Sequence, residues 1–306
     1  MTPDQPESTP PVAPSPPHGL RLWIAGARPR TLPAAVAPVA AGTGAAALAG
    51  EFWWWKAVLA LGVSLALQIG VNYANDYSDG VRGTDDGRVG PLRLVGSGLV
   101  PAGRVKTAAL GFLGLGAVFG LVLAATTTWW LLAVGAAALV AAWTYTGGPS
   151  PYGYRALGEV SVFVFFGLVA VVGTTFVQVE QITAASVLAG VAVGAMACAI
   201  LVANNLRDIA TDTVSGKRTL AVLLGDARSR WLYVLLTVVA AAVVVALAVT
   251  ETPWALLGMA GLPPAANASR MVLRGATGPA LIAVLQATGI AELALAVGLG
   301  LGLALG

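Results

Sequence analysis

A chain of 306 residues with 57% hydrophobic and 10% charged side chains, and a mean hydropathy of +0.81, is not composed like a protein with a water-facing surface. It reads as an integral membrane protein, which excludes a hydrophilic globular domain or a large nucleic-acid surface and turns the net charge of +3 into a statement about loop placement. The single cysteine, Cys198, lies in an apolar run and the single histidine, His18, near the N-terminus, which excludes disulfides, His/Cys metal centres and Ser-His-Asp chemistry.

Residues 1–19 contain seven prolines, no lysine or arginine, and the acids Asp4 and Glu7. That is the wrong composition for a signal peptide and suits a disordered Pro-rich tail; residues 20–306 read as one transmembrane domain. A helix needs about 20 apolar residues to cross the hydrocarbon core. Residues 31–50, 57–75, 160–179, 181–206, 231–250 and 252–269 carry no charge. Residues 107–154 are uncharged over enough length for two spans, broken at Thr126-Thr127-Thr128 beside the interfacial anchors Trp129 and Trp130. A last span runs to the C-terminus from about residue 285, and 263–285, with Pro263-Pro264, Arg270 and Arg274, fits a shortened helix plus an interfacial one. The expectation is an all-α polytopic protein of about nine transmembrane helices. Sixteen of the seventeen basic residues fall on one side of that alternation and only Lys56 on the other. Short cytoplasmic loops hold the Lys/Arg excess, so the N-terminus is expected in the cytoplasm and the C-terminus outside.

Two cytoplasmic connections are unlike ordinary loops. The second span ends with Gln68, Asn72, Asn75, Asp76 and Asp79 at helical spacing, one polar stripe descending into the membrane. The sixth ends with Asn204, Asp208 and Asp212 at i, i+4 and i+8, with Asn205 beside them. Capping explains one such residue per helix end. It does not explain acids repeated along one face at helix C-termini, where the macrodipole disfavours negative charge. Oxygen-only ligands on facing helices suit a hard cation such as Mg²⁺, which typically uses one or two carboxylates plus substrate phosphates. Basic residues follow each stripe: Arg82, Arg88 and Arg93 after the first, Lys217 and Arg218 behind Gly216 after the second. Alternating carboxylates and cations are what a metal-bridged diphosphate requires. Arg104, Lys106, Arg228 and Arg230 read instead as positive-inside anchors.

These residues carry a resemblance. Asn75-Asp76-Tyr-Ser-Asp79-Gly80-Val-Arg82-Gly83-Thr84-Asp85, followed by Gly90-Pro91-Leu-Arg93, resembles the first Asp-rich motif of the UbiA superfamily of membrane prenyltransferases. Asn205-Leu-Arg207-Asp208-Ile-Ala-Thr-Asp212 with Gly216-Lys217-Arg218-Thr219 resembles the second. Arg28-Pro-Arg30-Thr-Leu-Pro33, Tyr145-Thr-Gly-Gly-Pro149 and Tyr152-Gly-Tyr154 through Gly158-Glu159 are similar to the branch of the menaquinone pathway that acts on 1,4-dihydroxy-2-naphthoate. The chain departs from the general pattern twice. Gly83 stands where a third acid is usual, with Asp85 the nearest acid, and Pro149 stands where many members have a phosphate-binding lysine, for which Arg155 is a candidate substitute.

The resemblance implies helices around a central cavity open to lipid, with its mouth facing the cytoplasm of the plasma membrane. It implies Mg²⁺ held by the catalytic acids Asp76, Asp79, Asp208 and Asp212, with Asp85 as a further candidate. The substrates implied are polyprenyl diphosphate and 1,4-dihydroxy-2-naphthoate, joined with loss of CO₂ and diphosphate to give demethylmenaquinone. Substrate contacts are expected from Asn75, Arg82, Asn204, Asn205, Lys217 and Arg218, and around the ring from Gln68, Asn72 and Tyr145. For those last three a helix–helix hydrogen bond is an equal reading. Beyond the lipid bilayer no partner is expected, neither nucleic acid nor protein. Two alternatives stay open: a superfamily transferase for 4-hydroxybenzoate or a tetrapyrrole, and a cation transporter using the same carboxylates. A CDP-alcohol phosphotransferase shares only Asp79-Gly80, and Gly83-Thr84 break its pattern.

Overall fold

The computed structural model describes residues 18–83 and 92–306. Residues 1–17 of the expected tail, and Asp85 and Arg88 of the first motif, lie outside the described residues. Among the described residues every regular element is helical, and strand-like pairing is confined to one isolated parallel bridge between Arg155 and Arg218.

The short α1 (Leu20–Ala27) turns through Pro29–Thr31 into α2 (Pro33–Leu48). Next come α3 (Trp54–Arg82), α4 (Ala102–Ala125) and α5 (Leu131–Thr144). A span of 22 residues then runs from α6 (Gly158–Val162) through a π-helical stretch, Phe163–Val169, into α7 (Ala170–Val179). It is followed by α8 (Ala184–Val214), α9 (Leu220–Thr250), a 3-10 stretch Pro253–Gly261 leading into α10 (Leu262–Leu273), and α11 (Pro279–Ala304). Among the described residues, grouping these elements gives nine helical segments in the order of the expected spans, though by length not nine crossings. Six are long and apolar enough to cross a membrane alone, and α1 with α2, bent by 50°, makes a seventh if counted as one. The other two are short for a reason visible in the chain. The 14 residues of α5 reach only about 21 Å at 1.5 Å per residue, against a hydrocarbon core of about 30 Å. The segment 253–273 starts at a Thr252 cap, runs as 3-10 helix and changes form at Gly261 and Leu262, just before Pro263-Pro264.

Two of the helices, α3 and α8, are much longer than a single crossing requires. The 29 residues of α3 and 31 of α8 span about 43 and 46 Å, longer than a hydrocarbon core of about 30 Å. Gly83 ends α3 with φ 71°, a left-handed conformation that glycine adopts without a Cβ penalty.

The core gathers around α8, which is mostly buried and packs on α2, α9, α11 and the π-helical stretch. Small residues make this possible, because in a lipid solvent helices associate through close backbone approach rather than through the hydrophobic effect. A methyl group added at Gly44 would meet the Gly300 backbone, and one added at Gly300 would meet the Ala40 carbonyl, so α2 and α11 touch glycine to glycine. Gly167 in the π-helical stretch meets Gly190 and Gly194 of α8 in the same way. By contrast α5 packs on α3 and α4 with no buried residue of its own. Close contact on one side and a loosely packed helix on the other leave a cavity between. At the end of the molecule away from the acids, Lys56 is buried, donating to the Val177 carbonyl at 2.6 Å and to Thr127 at 3.2 Å.

Gly300→Val is expected to lower stability by roughly 1–3 kcal/mol through overpacking, read as a lower thermal midpoint in detergent. Gly111→Ala, at a helix position where nothing lies within 4 Å, should leave it unchanged or slightly raised.

Candidate active site

The C-terminal ends of α3 and α8 both line a cavity of about 890 Å³. Its walls come from α2 to α5, the Gly158–Val179 span, α8 and α11, and are mainly apolar; its polar end carries Asn75 and Asp79 from α3 with Asn204, Asn205, Asp208 and Asp212 from α8. Both stripes thus face one space.

Asp79 is the meeting point. Its Oδ1 accepts from the Tyr154 hydroxyl at 2.5 Å and from Lys217 Nζ at 3.3 Å, and its Oδ2 lies 3.6 Å from Arg93 Nη2. The Lys217 ammonium also sits 4.7 Å from the Tyr154 ring centroid. A lysine of the second motif therefore pairs with an acid of the first. On α8, Arg207 grips Asp208 with both its Nε (2.7 Å) and Nη2 (2.8 Å) and reaches Asn204 Oδ1 at 2.9 Å. Asn205 donates to the buried Glu159 at 2.9 Å, and Asn75 accepts from Thr146 at 2.7 Å. Asp79 and Asp208 are almost fully buried, and buried carboxylates persist only when paired and hydrogen-bonded.

Four of the described residues singled out from sequence, Asp76, Arg82, Arg155 and Arg218, do not line the cavity. Asp76 is fully buried and spends both oxygens on the backbone N–H groups of Leu94 (2.8 Å) and Val95 (3.0 Å). It thereby fixes the segment that carries Arg93. Arg82 is exposed, donates to the carbonyls of Thr146 and Gly148, and lies 5.5 Å from the Tyr154 ring. Arg218 is exposed, while its backbone N–H donates to the Tyr154 carbonyl at 3.1 Å. The bridge to Arg155 keeps this stretch extended, so neighbouring Lys217 and Arg218 point to opposite sides. Arg155 is exposed and does not reach the cavity.

The three ring candidates are on the wall. Tyr145 packs edge-on against Tyr152, with centroids 5.5 Å apart. Burial raises the Tyr152 hydroxyl above its usual range, opposed by its hydrogen bond with Ser161. Gln68 and Asn72 engage the Arg28–Thr31 turn: both donate to Thr31 Oγ1, at 3.1 and 2.9 Å, and Asn72 also donates to the Ala27 carbonyl. Tyr154, Arg207 and that turn were not singled out as site residues from sequence. Arg207 carried a signal, since it stands one residue before Asp208 and can fold back onto it.

The donors at the mouth are all carboxylate or carboxamide oxygens flanked by ammonium and guanidinium groups. That is the chemistry of a hard cation carrying a polyanion. Among the described residues no three His, Cys, Asp or Glu side chains gather closely enough to hold a metal ion by themselves.

A family model described as the UbiA prenyltransferase family matches residues 35–285. The chain belongs to the UbiA prenyltransferase family. Within it, a protein of Mycobacterium tuberculosis described as 1,4-dihydroxy-2-naphthoate octaprenyltransferase is 55% identical over 284 residues, covering 93% of this chain and 97% of that protein. One of Escherichia coli with the same description is 41% identical, covering 69% and 70%. Among solved structures, a UbiA homologue from Aeropyrum pernix superposes with a TM-score of 0.68 at 18% identity, covering 88% of this chain and 96% of that one. A homologue from Archaeoglobus fulgidus bound to DMAPP and Mg²⁺ superposes with 0.64 at 15% identity, covering 92% and 98%.

The Asp76 geometry makes a test. Asp76→Ala strands the buried Leu94 N–H, at about 1–3 kcal/mol, and the part-buried Val95 N–H, at less. The thermal midpoint should fall in the order wild type, Asp76→Asn, Asp76→Ala, because asparagine keeps one of the two acceptors; equal midpoints would show that the 94–95 backbone does not depend on this side chain.

Proposed function

We propose that this chain transfers a polyprenyl group from polyprenyl diphosphate to 1,4-dihydroxy-2-naphthoate, with loss of CO₂ and diphosphate. The observation that carries the reading is the pairing of Lys217 with Asp79 at the mouth of an apolar cavity, which makes one site of two motifs far apart in sequence. The choice of acceptor is supported by the descriptions of the mycobacterial and E. coli relatives, and the use of Mg²⁺ by the metal-bound archaeal homologue.

Mg²⁺ supplies Lewis-acid stabilisation of the leaving diphosphate, and Asn75, Asp79, Asn204, Asp208 and Asp212 are the residues that would hold it. Asp76 supports this set from behind. Lys217, Arg93 and Arg207 neutralise the charge that builds on the diphosphate as the allylic carbon–oxygen bond breaks. The isoprenoid chain lies in the apolar lumen, away from water that would capture the electron-poor allylic carbon. The ring attacks through the carbon bearing its carboxylate. Loss of CO₂ then restores aromaticity and leaves a prenylated naphthalenediol, the reduced form of demethylmenaquinone.

Sixteen basic residues on one side support a cytoplasmic N-terminus, an active-site mouth facing the cytoplasm of the plasma membrane, and nine crossings of which α5 and 253–273 are short ones.

Purified protein supplied with labelled polyprenyl diphosphate and Mg²⁺ should prenylate 1,4-dihydroxy-2-naphthoate and not 4-hydroxybenzoate. Excess chelator should abolish turnover and Mg²⁺ restore it; full activity in chelator would sink the reading. Asp208→Asn should lower kcat about a hundredfold, equivalent to roughly 2–3 kcal/mol of transition-state stabilisation. Lys217→Ala should raise KM for the prenyl diphosphate and leave that for the aromatic acid nearly unchanged.

A further inference from the structure

The cavity has a closed end opposite its polar one. One face of α3 lines it from Asp79 back to Ala60, about 28 Å at 1.5 Å per residue, and among the described residues nothing of α3 before Ala60 does so. There Val39, Ala60, Leu123 and Val177 form one buried apolar cluster with Leu131 packed against it, and all five line the cavity. Behind this floor the helix ends are tied together. Lys56, one turn before Ala60, donates to the Val177 carbonyl and to Thr127 between α4 and α5; the Trp53 N–H donates to Gln178 Oε1 at 3.2 Å; and the Trp130 ring packs edge-on against Phe176, with centroids 5.1 Å apart. The buried ammonium rests on a carbonyl of the last turn of α7, where the macrodipole favours a cation, so a floor that moved would leave a buried charge unpaired.

Just inside the floor the lumen is wide. Gly120, Gly135 and Gly173 line it from three different helices, each about one turn, or roughly 5 Å, nearer the polar end than Leu123, Leu131 and Val177. A methyl group added at any of the three would meet nothing within 4 Å. Glycine is a poor helix former. Close backbone contact accounts for it at Gly44, Gly167 and Gly300, whereas at these three positions no packing does, and what they supply is free width at one depth. That depth can be read in isoprene units. A peptide repeat of three bonds extends about 3.3–3.6 Å, so an isoprene unit of four chain bonds extends roughly 4.5–5 Å. Allowing roughly 5 Å at Asp79 for the ion and the diphosphate, the lumen encloses about five units, and the fourth reaches the three glycines.

We propose that the closed end gauges isoprenoid length: the chamber at Gly120, Gly135 and Gly173 takes the fourth and fifth units, and the floor of Val39, Ala60, Leu123, Leu131 and Val177 stops a straight chain there. This rests on the reading of the chain as a transferase that uses a prenyl diphosphate. The three glycines are then specificity-determining positions, and the Lys56 tie keeps the floor in place.

Gly135→Leu and Gly173→Leu fill that space from two different helices, and because leucine is the better helix former neither should lower the thermal midpoint. Dissociation constants are measured with Mg²⁺ and without acceptor for farnesyl, geranylgeranyl and geranylfarnesyl thiolodiphosphates, analogues of three, four and five units whose carbon–sulfur bond resists ionisation. Partition into detergent is common to variant and wild type and cancels in their ratio. Both variants should bind the three-unit analogue as wild type does, and the four- and five-unit analogues at least about tenfold more weakly, the scale of overpacking a filled apolar site. Leu123→Ala, which deepens the floor, should instead tighten a six-unit analogue relative to the five-unit one. Ratios equal for all three lengths in both glycine variants, whether unchanged or lowered together, overturn the gauge, as does a Leu123→Ala protein that ranks the five- and six-unit analogues as wild type does. Turnover with another acceptor in place of the naphthoate would correct the function reading alone, because these ratios are measured without one.

Discussion

Carboxylates at the end of a membrane helix are unstable unless something compensates them, and the architecture of the mouth follows from that constraint. Asp79 and Asp208 are nearly inaccessible to water, where an unpaired charge costs several kcal/mol. Asp79 is satisfied only by bringing in groups from elsewhere: the Tyr154 hydroxyl from the connection before α6, Lys217 from the connection after α8, Arg93 from the segment before α4. Each compensating group drags its loop to the same point. The Arg155–Arg218 bridge, the Arg82 contacts with the 146–148 carbonyls and the Asp76 bonds to the 94–95 backbone hold those loops once they are there. The polar end of the cavity is therefore a set of loops assembled around two acids.

The apolar end obeys the opposite rule. It needs no compensation, so its shape is set by how closely helices can approach. Glycine and alanine on α2, α8 and α11 bring backbones into contact and use up little volume there. The π-helical stretch turns Gly167 toward α8 and leaves Phe165 and Phe166 on the cavity wall. Dense packing around α8 and loose packing of α5 are two results of one distribution of small side chains.

Several side chains first legible as ligands make hydrogen bonds to other parts of the chain. Asp76 and Arg82 belong to the acidic motif by spacing, yet their partners are backbone groups of other loops. Gln68 and Asn72 face the cavity but give their hydrogens to Thr31. A motif records that residues act together; it does not say which of them touch the ligand and which hold those that do.

What the chain determined alone was whatever depends on local period and local charge. Uncharged stretches marked the order of the nine helical segments, because the cost of charge in hydrocarbon is paid residue by residue. The stripes at Gln68–Asp79 and Asn204–Asp212 were legible because helical spacing puts such residues on one face. The shortening near 263–285 was signalled by Pro263-Pro264, but the short length of α5 was not, since an uncharged stretch does not report where a helix begins. Pairing across loops was beyond reach: nothing near Tyr154 says that its hydroxyl ends 2.5 Å from Asp79, and nothing in Lys217-Arg218 says that one enters the cavity and the other leaves it. Those facts depend on where three connections meet, and that was decided only when the buried acids drew their partners in from distant parts of the chain.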